Sequence, residues 1–206
     1  MSQKPSPEIK VVFLGETAVG KTSIIRRYND DSFDEYETSS ITMSYIEKYL
    51  EIDNKKYKLV IWDTIGQEQY RAISKLFLND AKIAILVYSI IDRDSLKNLD
   101  YWYSLCKEEL GNELIFGVAG NKADLYMNQT VSFNEGNEFA DNIGAIFAEV
   151  SAKKNADSIK FFMLDLVKAY VNKNKEEINK ILRRDNKSIK LDRKIKKKKK
   201  CCSGKD

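Results

Sequence analysis

The stretch IKVVFLGETAVGKTS, residues 9–23, decides the fold. Its first six residues are an apolar run of strand type, and from about Lys21 onward the residues favour a helix. Between them Gly15 and Gly20 bracket a loop of the pattern G-x-x-x-x-G-K-T. Strand, glycine loop and helix in that order make a cradle for phosphate. The backbone amides of Glu16, Thr17, Ala18 and Val19 can wrap around phosphate oxygens, and the helix N-terminus, with Thr22 and Ser23 in its first turn, adds a positive dipole end. Lys21 can neutralise β- and γ-phosphates, and the Thr22 hydroxyl can bind Mg2+. An ordinary glycine-rich turn competes for the bare pattern, and the flanking strand and helix weigh against it.

Outward from this junction, TMSYIEKYLEI (42–52) and KYKLVIW (56–62) flank Asp53, Asn54 and Lys55, a turn-forming cluster that predicts an antiparallel hairpin. KIAILVYS (82–89) and ELIFGVAG (113–120) are continuous apolar runs of the kind expected of strands buried on both faces. Leu96, Leu99, Tyr103, Cys106 and Leu110 recur at steps of three and four and predict one amphipathic helix. Ile159, Phe162, Met163, Leu166, Val167 and Tyr170 predict another. Both stripes read as core. Alternating strands and helices imply an α/β fold: a mostly parallel, doubly wound sheet with one antiparallel edge hairpin. Ligands of such sheets sit beyond the carboxyl ends of the strands.

With 206 residues, of which 43% are apolar and 32% charged, the chain suits one full core rather than two small ones. The expected division is a disordered leader over 1–8, a domain over 9–171 and a basic tail over 172–206. The net charge of +4 hides an asymmetry. From Lys173 to Asp206 there are 15 Lys and Arg against 5 Asp and Glu, so the basic character belongs to the tail. No run of eighteen apolar residues occurs, and MSQKPSPE lacks an apolar signal-peptide core, so a reducing, cytosol-facing compartment is expected. Cys106, Cys201 and Cys202 are too few and too clustered for a disulfide framework, and without any His a zinc site is not expected. Cys106 reads as a small buried apolar residue.

Asp63 closes the strand of the second hairpin arm, where a second carboxylate could hold Mg2+ through water. NKAD (121–124) follows another buried strand. The Asp124 carboxylate can accept from the N1–H and the 2-amino group of guanine, whereas adenine would set a lone pair against it, so the motif chooses G over A. Taken alone, Asn121, Lys122 and Asp124 are ordinary turn residues. EVSAKK (149–154) closes a further strand, and its loop Ser151, Ala152, Lys153 would supply a backbone amide for the guanine oxygen.

Together GETAVGKT, DTIGQE (63–68), NKAD and SAK, in this order and spacing, resemble the Ras superfamily of small GTPases, a P-loop NTPase fold, over about residues 9 to 171. Within it KLVIWDTIGQE, QYRAI (69–73) and the two C-terminal cysteines are similar to the Rab family, and AGNKADL with VSFNEGNEFAD is similar to its endosomal members. The resemblance implies GTP and GDP as ligands and Mg2+ as cofactor, held by Thr22, Ser40 and Asp63. It places Phe33 against the guanine ring, Tyr36 over the phosphates and Ser40 where a Thr is usual. Gln67 would orient the attacking water and the Gly66 amide would contact the γ-phosphate, with an arginine supplied in trans by a GTPase-activating protein. ITMSY (41–45) and YSI (88–90) depart from the Rab pattern at positions that bear on partners.

Ile65 stands where family members carry Ala. A β-branched side chain there restricts the backbone that must shift as Gly66 swings in, and a misplacement of about 1 Å can cost roughly 100-fold in rate. Rotation of Ile65 into an adjacent apolar pocket, with little effect, is the other reading. In the tail, a lysine run immediately precedes Cys201 and Cys202. Dual geranylgeranylation explains that pairing, two lipid chains with basic residues being enough for firm membrane attachment. Unmodified cysteines are the alternative, since SGKD follows the pair.

The resulting expectation is a monomeric, slowly hydrolysing Rab-like switch on the cytoplasmic face of an internal, endosomal membrane. Its partners would be an exchange factor, a GTPase-activating protein, effectors, the prenylation machinery and GDP-dissociation inhibitor. A GTP-binding tether with little hydrolysis is the first rival. A nucleic-acid binder is the second, and residues 190–200 lack the aromatics that stacking would need.

Overall fold

The computed structural model describes residues 6–35, 44–64, 78–111, 113–176 and 178. In chain order the elements are β1 (Glu8–Leu14), α1 (Lys21–Asp30), β2 (Ser44–Ile52), β3 (Lys55–Asp63), β4 (Ile83–Ser89), α2 (Arg93–Lys97) and α3 (Leu99–Leu110). Then come β5 (Ile115–Asn121), a 3-10 turn over Ala123–Asn128, α4 (Phe133–Ile143), β6 (Ile146–Glu149) and α5 (Ala156–Lys173). The strands form one six-stranded sheet in the order β2-β3-β1-β4-β5-β6. Among the described strands only the β2–β3 pair is antiparallel, so the expected doubly wound sheet with one edge hairpin is the fold.

The hairpin turns on two residues. Asp53 and Asn54 both adopt left-handed backbone angles, φ 50 and 58, as the tight two-residue turn between twisted strands demands, and Asn and Asp tolerate that region. Lys55 already belongs to β3. On the outer strand β2 burial alternates, and only Ile52 is fully inside.

Period two sorts the central strand between two cores. Ile9, Val11 and Phe13 face α1 and α5, meeting Ile24, Tyr28, Ile159, Phe162 and Leu166. Val12 and Leu14 face α3 and α4, meeting Leu99, Trp102, Cys106 and Ala140. Burial on both faces explains why β1 and β4 read as continuous apolar runs.

Three details differ from the sequence expectation. β1 opens at Glu8, whose Cα partners Lys58, and α5 continues to Lys173 with Ile178 buried beyond it. The helix predicted over Leu96 to Leu110 is two helices meeting at Asn98. Asp92 caps the first, its carboxylate accepting from the amides of Asp94 and Ser95. In the second the buried stripe is Leu99, Trp102, Leu105 and Cys106, while Tyr103 and Leu110, like Leu96 in the first, are only partly covered. Cys106 is a free, fully buried thiol, and burial pushes its pKa up to about 12. Among the described residues no helix is long and apolar enough to cross a membrane.

Because β1, β3, β5 and β6 run parallel, Leu14, Asp63, Asn121 and Glu149 end at the same edge of the sheet. The loops after three of them carry the described candidate site residues, apart from Phe33, the strand-end residues Asp63 and Asn121, and the start of α1.

Candidate nucleotide site

The loop after β1 is shaped by backbone angles that side chains resist. Gly15 has φ 143, and a Cβ there would lie 2.2 Å from the Val87 carbonyl oxygen. Gly20 has φ 93, and a Cβ there would lie 2.3 Å from Asn121 Nδ2. Ala18 is left-handed as well, at φ 62. The loop thus folds tightly enough to turn Glu16 to Val19 around one centre and deliver the chain to α1. That helix has no side-chain cap and no acidic residue of its own in its first turn, and its N-terminal dipole end faces the loop.

Lys21 sits in this cradle with only 6% of its surface exposed. Its Nζ donates to the carbonyls of Gly15, at 2.9 Å, and Glu16, at 2.8 Å. Burial brings its pKa down to about 8, and the nearby Asp63 and Glu16 carboxylates oppose the shift. A buried ammonium so placed gains from a polyanion. The Glu16 carboxylate is itself held from across the fold, accepting from Trp102 Nε1 at 3.2 Å.

At the end of β3, Asp63 is 4% exposed, and its Oδ2 accepts from Thr22 Oγ1 at 2.7 Å. Two of the three residues expected at a metal are therefore in contact. A hydroxyl and a carboxylate, both hard oxygen donors beside a phosphate cradle, fit Mg2+, which binds through one or two protein oxygens with phosphate oxygens and water. The next residue, Thr64, donates its hydroxyl to the Phe13 carbonyl, pinning the end of β3 to β1.

The second half of the cleft comes from the loops after β5 and β6. Asn121 is buried; its Nδ2 donates to the Val19 carbonyl at 2.8 Å, and its Oδ1 accepts from the Ala152 amide at 3.3 Å. One side chain thus joins the glycine loop to both base-side loops. Asp124 Oδ1 accepts from Ser151 Oγ at 2.5 Å, and that hydroxyl also accepts from the Lys154 amide at 3.0 Å. Lys122, left-handed at φ 67, has its pKa lowered by burial, with Asp92 and Asp124 opposing.

The approach to Ser151–Lys153 is also charged. Lys153 Nζ donates to Glu35 Oε1 at 2.6 Å, which raises the lysine pKa. Phe33, just before it, is partly buried and packs against the core on the α1 side.

Thus Gly15 to Thr22, Asp63, Asn121, Lys122, Asp124 and Ser151 to Lys153 gather at one edge of the sheet, tied together by these bonds. Tyr36, Ser40, Ile65, Gly66, Gln67, Cys201 and Cys202 lie outside the described residues. Two residues at the cleft were not anticipated: Trp102, which holds Glu16, and Arg27, whose Nε donates to the Ala152 carbonyl at 2.6 Å and whose Nη2 donates to the Lys153 carbonyl at 3.0 Å. Each acts across more than eighty positions of sequence, and no local pattern marks either.

A model of the Ras family matches residues 10–172. Ras-related protein Rab-21 of Geodia cydonium is 39% identical over 165 residues, which cover 80% of this chain and 72% of that protein. Human Ras-related protein Rab-21 is 39% identical over 162 residues, covering 79% of this chain and 72% of the relative. Human Ras-related protein Rab-22A is 36% identical over 159 residues, covering 77% of this chain and 81% of the relative.

Proposed function

The chain belongs to the Ras family, on its Rab branch, and with that as the premise we propose that it is a membrane-anchored GTP/GDP switch for vesicle traffic with slow intrinsic hydrolysis. Proteins of this family bind GTP and GDP and hydrolyse GTP. The observation that most supports the fuller reading is the bond from Asn121 to Val19, because a carboxylate suited to guanine and a loop suited to phosphate then share a cleft.

In this reading guanine meets the Asp124 carboxylate and the Ala152 amide, with Phe33 against its ring. The amides of residues 16–20 and the N-terminus of α1 hold the β-phosphate. Lys21 leaves the carbonyls of Gly15 and Glu16 and turns to the β- and γ-phosphates. Thr22, Asp63 and Ser40 are the residues that would hold Mg2+, which when bound neutralises phosphate charge. Gln67 orients a water in line with the γ-phosphorus, and the Gly66 amide steadies the transferring group. Attack by that water breaks the bond to the β–γ bridging oxygen and gives GDP and phosphate. The rate added by an arginine from a GTPase-activating protein is about 10³ to 10⁵.

Residues 172–206 form the anchor in this proposal, with lipid on Cys201 and Cys202 and the lysine run against anionic headgroups. The endosomal assignment rests on the AGNKADL and VSFNEGNEFAD stretches, and the exchange factor, effectors and GDP-dissociation inhibitor follow from the family's cycle. Cys201→Ser with Cys202→Ser is expected to move the protein from pelleted membranes to the soluble fraction.

Single-turnover phosphate release from the GTP-loaded chain with Mg2+ tests the switch. The natural chain is expected to turn over slowly, Gln67→Leu to stop, and Ile65→Ala to run faster. Ile65 favours one second reading: should the natural chain be as inert as Gln67→Leu while Ile65→Ala turns over, the protein is a long-lived GTP-bound tether.

A further inference from the structure

We propose that Arg27 of α1 is a positioning residue for guanine recognition, holding the Ser151–Lys153 loop so that the Ala152 amide points at the base. The proposal rests on the reading of the cleft as a guanine site.

The geometry is that of a clamp. Arg27 is largely covered, with 15% of its side chain exposed. One side of its planar fork, Nε and Nη2, donates to two consecutive carbonyls, those of Ala152 and Lys153, at 2.6 and 3.0 Å. The remaining nitrogen, Nη1, donates to the backbone carbonyl of Asp31 at 2.7 Å and to its Oδ1 at 3.0 Å. Asp31 is the left-handed residue that ends α1, and its amide returns a bond to the Arg27 carbonyl. The guanidinium is thus fixed from behind by the end of its own helix.

Two adjacent carbonyls drawn toward α1 leave their peptide planes little freedom to rotate. The Ala152 amide belongs to the preceding Ser151–Ala152 plane, joined to the clamped planes through the Ala152 Cα; in the protein alone it donates to Asn121 Oδ1 at 3.3 Å, while Ser151 donates to Asp124. A lysine at position 27 would carry the charge but would be a point donor, unable to match two carbonyls with one rigid fork. The contact spans 125 positions of sequence and ties the loop's backbone to α1, while Asn121, Asp124 and Glu35 hold its Ala152 amide and the side chains of Ser151 and Lys153.

The test uses the full chain and its variants Arg27→Lys and Arg27→Met, with folding checked by circular dichroism. The probes are GDP and 6-thio-GDP, whose sulfur is a poorer acceptor for the Ala152 amide but keeps the N1–H and 2-amino group for Asp124. The natural chain is expected to prefer GDP about fivefold, the size of one weakened hydrogen bond. In Arg27→Lys the affinity for GDP falls and the preference collapses toward one, because the amide no longer aims at the base. If affinity falls but the preference stays near fivefold, Arg27 merely supports the fold and the proposal is overturned. If the natural chain shows no preference, the base-site reading itself fails and the proposal falls with it. Should Arg27→Met not fold, Arg27→Lys, which retains charge and stem, carries the test. Amide hydrogen exchange at Ala152 is expected to quicken in Arg27→Lys, and unchanged exchange would count against the clamp.

Discussion

From Gly15 to Thr22 the phosphate end of the cleft is made within eight consecutive residues, whereas the base end brings Asp124 and Ser151 together from 27 positions apart and borrows Arg27 from 125 positions away. The first end owes its shape to backbone angles, chiefly those of Gly15, Ala18 and Gly20. The second owes its shape to side-chain hydrogen bonds from Asn121, Ser151 and Arg27. A backbone-shaped site fails all at once when a Cβ is added, and a bond-shaped site fails by degrees.

The largest effect is expected from Gly15→Ala. Its Cβ would meet a backbone oxygen of β4 at 2.2 Å, an atom that cannot turn away, and its φ is one that alanine resists. GDP binding should be lost and stability in urea should fall by about 3 to 5 kcal/mol. A variant that still binds GDP would show that the loop has more freedom than its angles imply.

Asn121→Ala comes next, since it strips both ties between the ends. Removing a buried amide that serves the Val19 carbonyl and the Ala152 amide should cost about 2 kcal/mol, or roughly 30-fold faster GDP release by stopped flow. If only affinity for the base changes, and not for a triphosphate lacking guanine, the two ends are less coupled than the bond suggests.

The pH dependence belongs to the phosphate end. Lys21 has a pKa of about 8 in the protein alone, so below that pH the ammonium is already present and above it a polyphosphate must recruit a proton. Affinity for GDP should therefore fall as pH rises, by about tenfold between pH 7 and 9, with proton uptake visible by calorimetry in buffers of different ionisation enthalpy. The same lysine gives the opposite sign for stability without ligand. The unfolded chain holds its proton up to about 10.4, so this group makes the unligated protein more stable as pH climbs from 8 toward 10.

Trp102→Phe should be the mildest change. It keeps the ring in the core and removes the donor to Glu16, which amounts to about 1 kcal/mol and a few-fold faster GDP release. No change at all would mean that the Glu16 carboxylate needs no holding.

The same contrast explains what the sequence disclosed. The glycine loop and the Asp53-Asn54 turn were legible because their conformations are dictated by the residues that adopt them. The strands β1 and β4 were legible because burial on both faces leaves an unbroken apolar run. The division at Asn98 was not, since Leu96 and Leu99 keep a helical step across it while Asp92, three residues upstream of Ser95, sets the first helix by capping. Trp102 was passed over in favour of Tyr103, although it stands three residues after Leu99 and four before Cys106 and is the largest fully buried side chain among the described residues. At the base end NKAD and SAK were recognisable, but the partners of Asn121 and Arg27 were hidden, because a hydrogen bond across 102 or 125 positions leaves no periodicity in the chain.

Asn121 gives the cleft one more property. By gripping Val19 while anchoring the Ala152 amide, it links the two jaws through one side chain, as the beam of a caliper does. A molecule that touches one jaw gains that jaw's contacts and nothing else. One that reaches both gains the contacts of both, with a single side chain setting how they are joined.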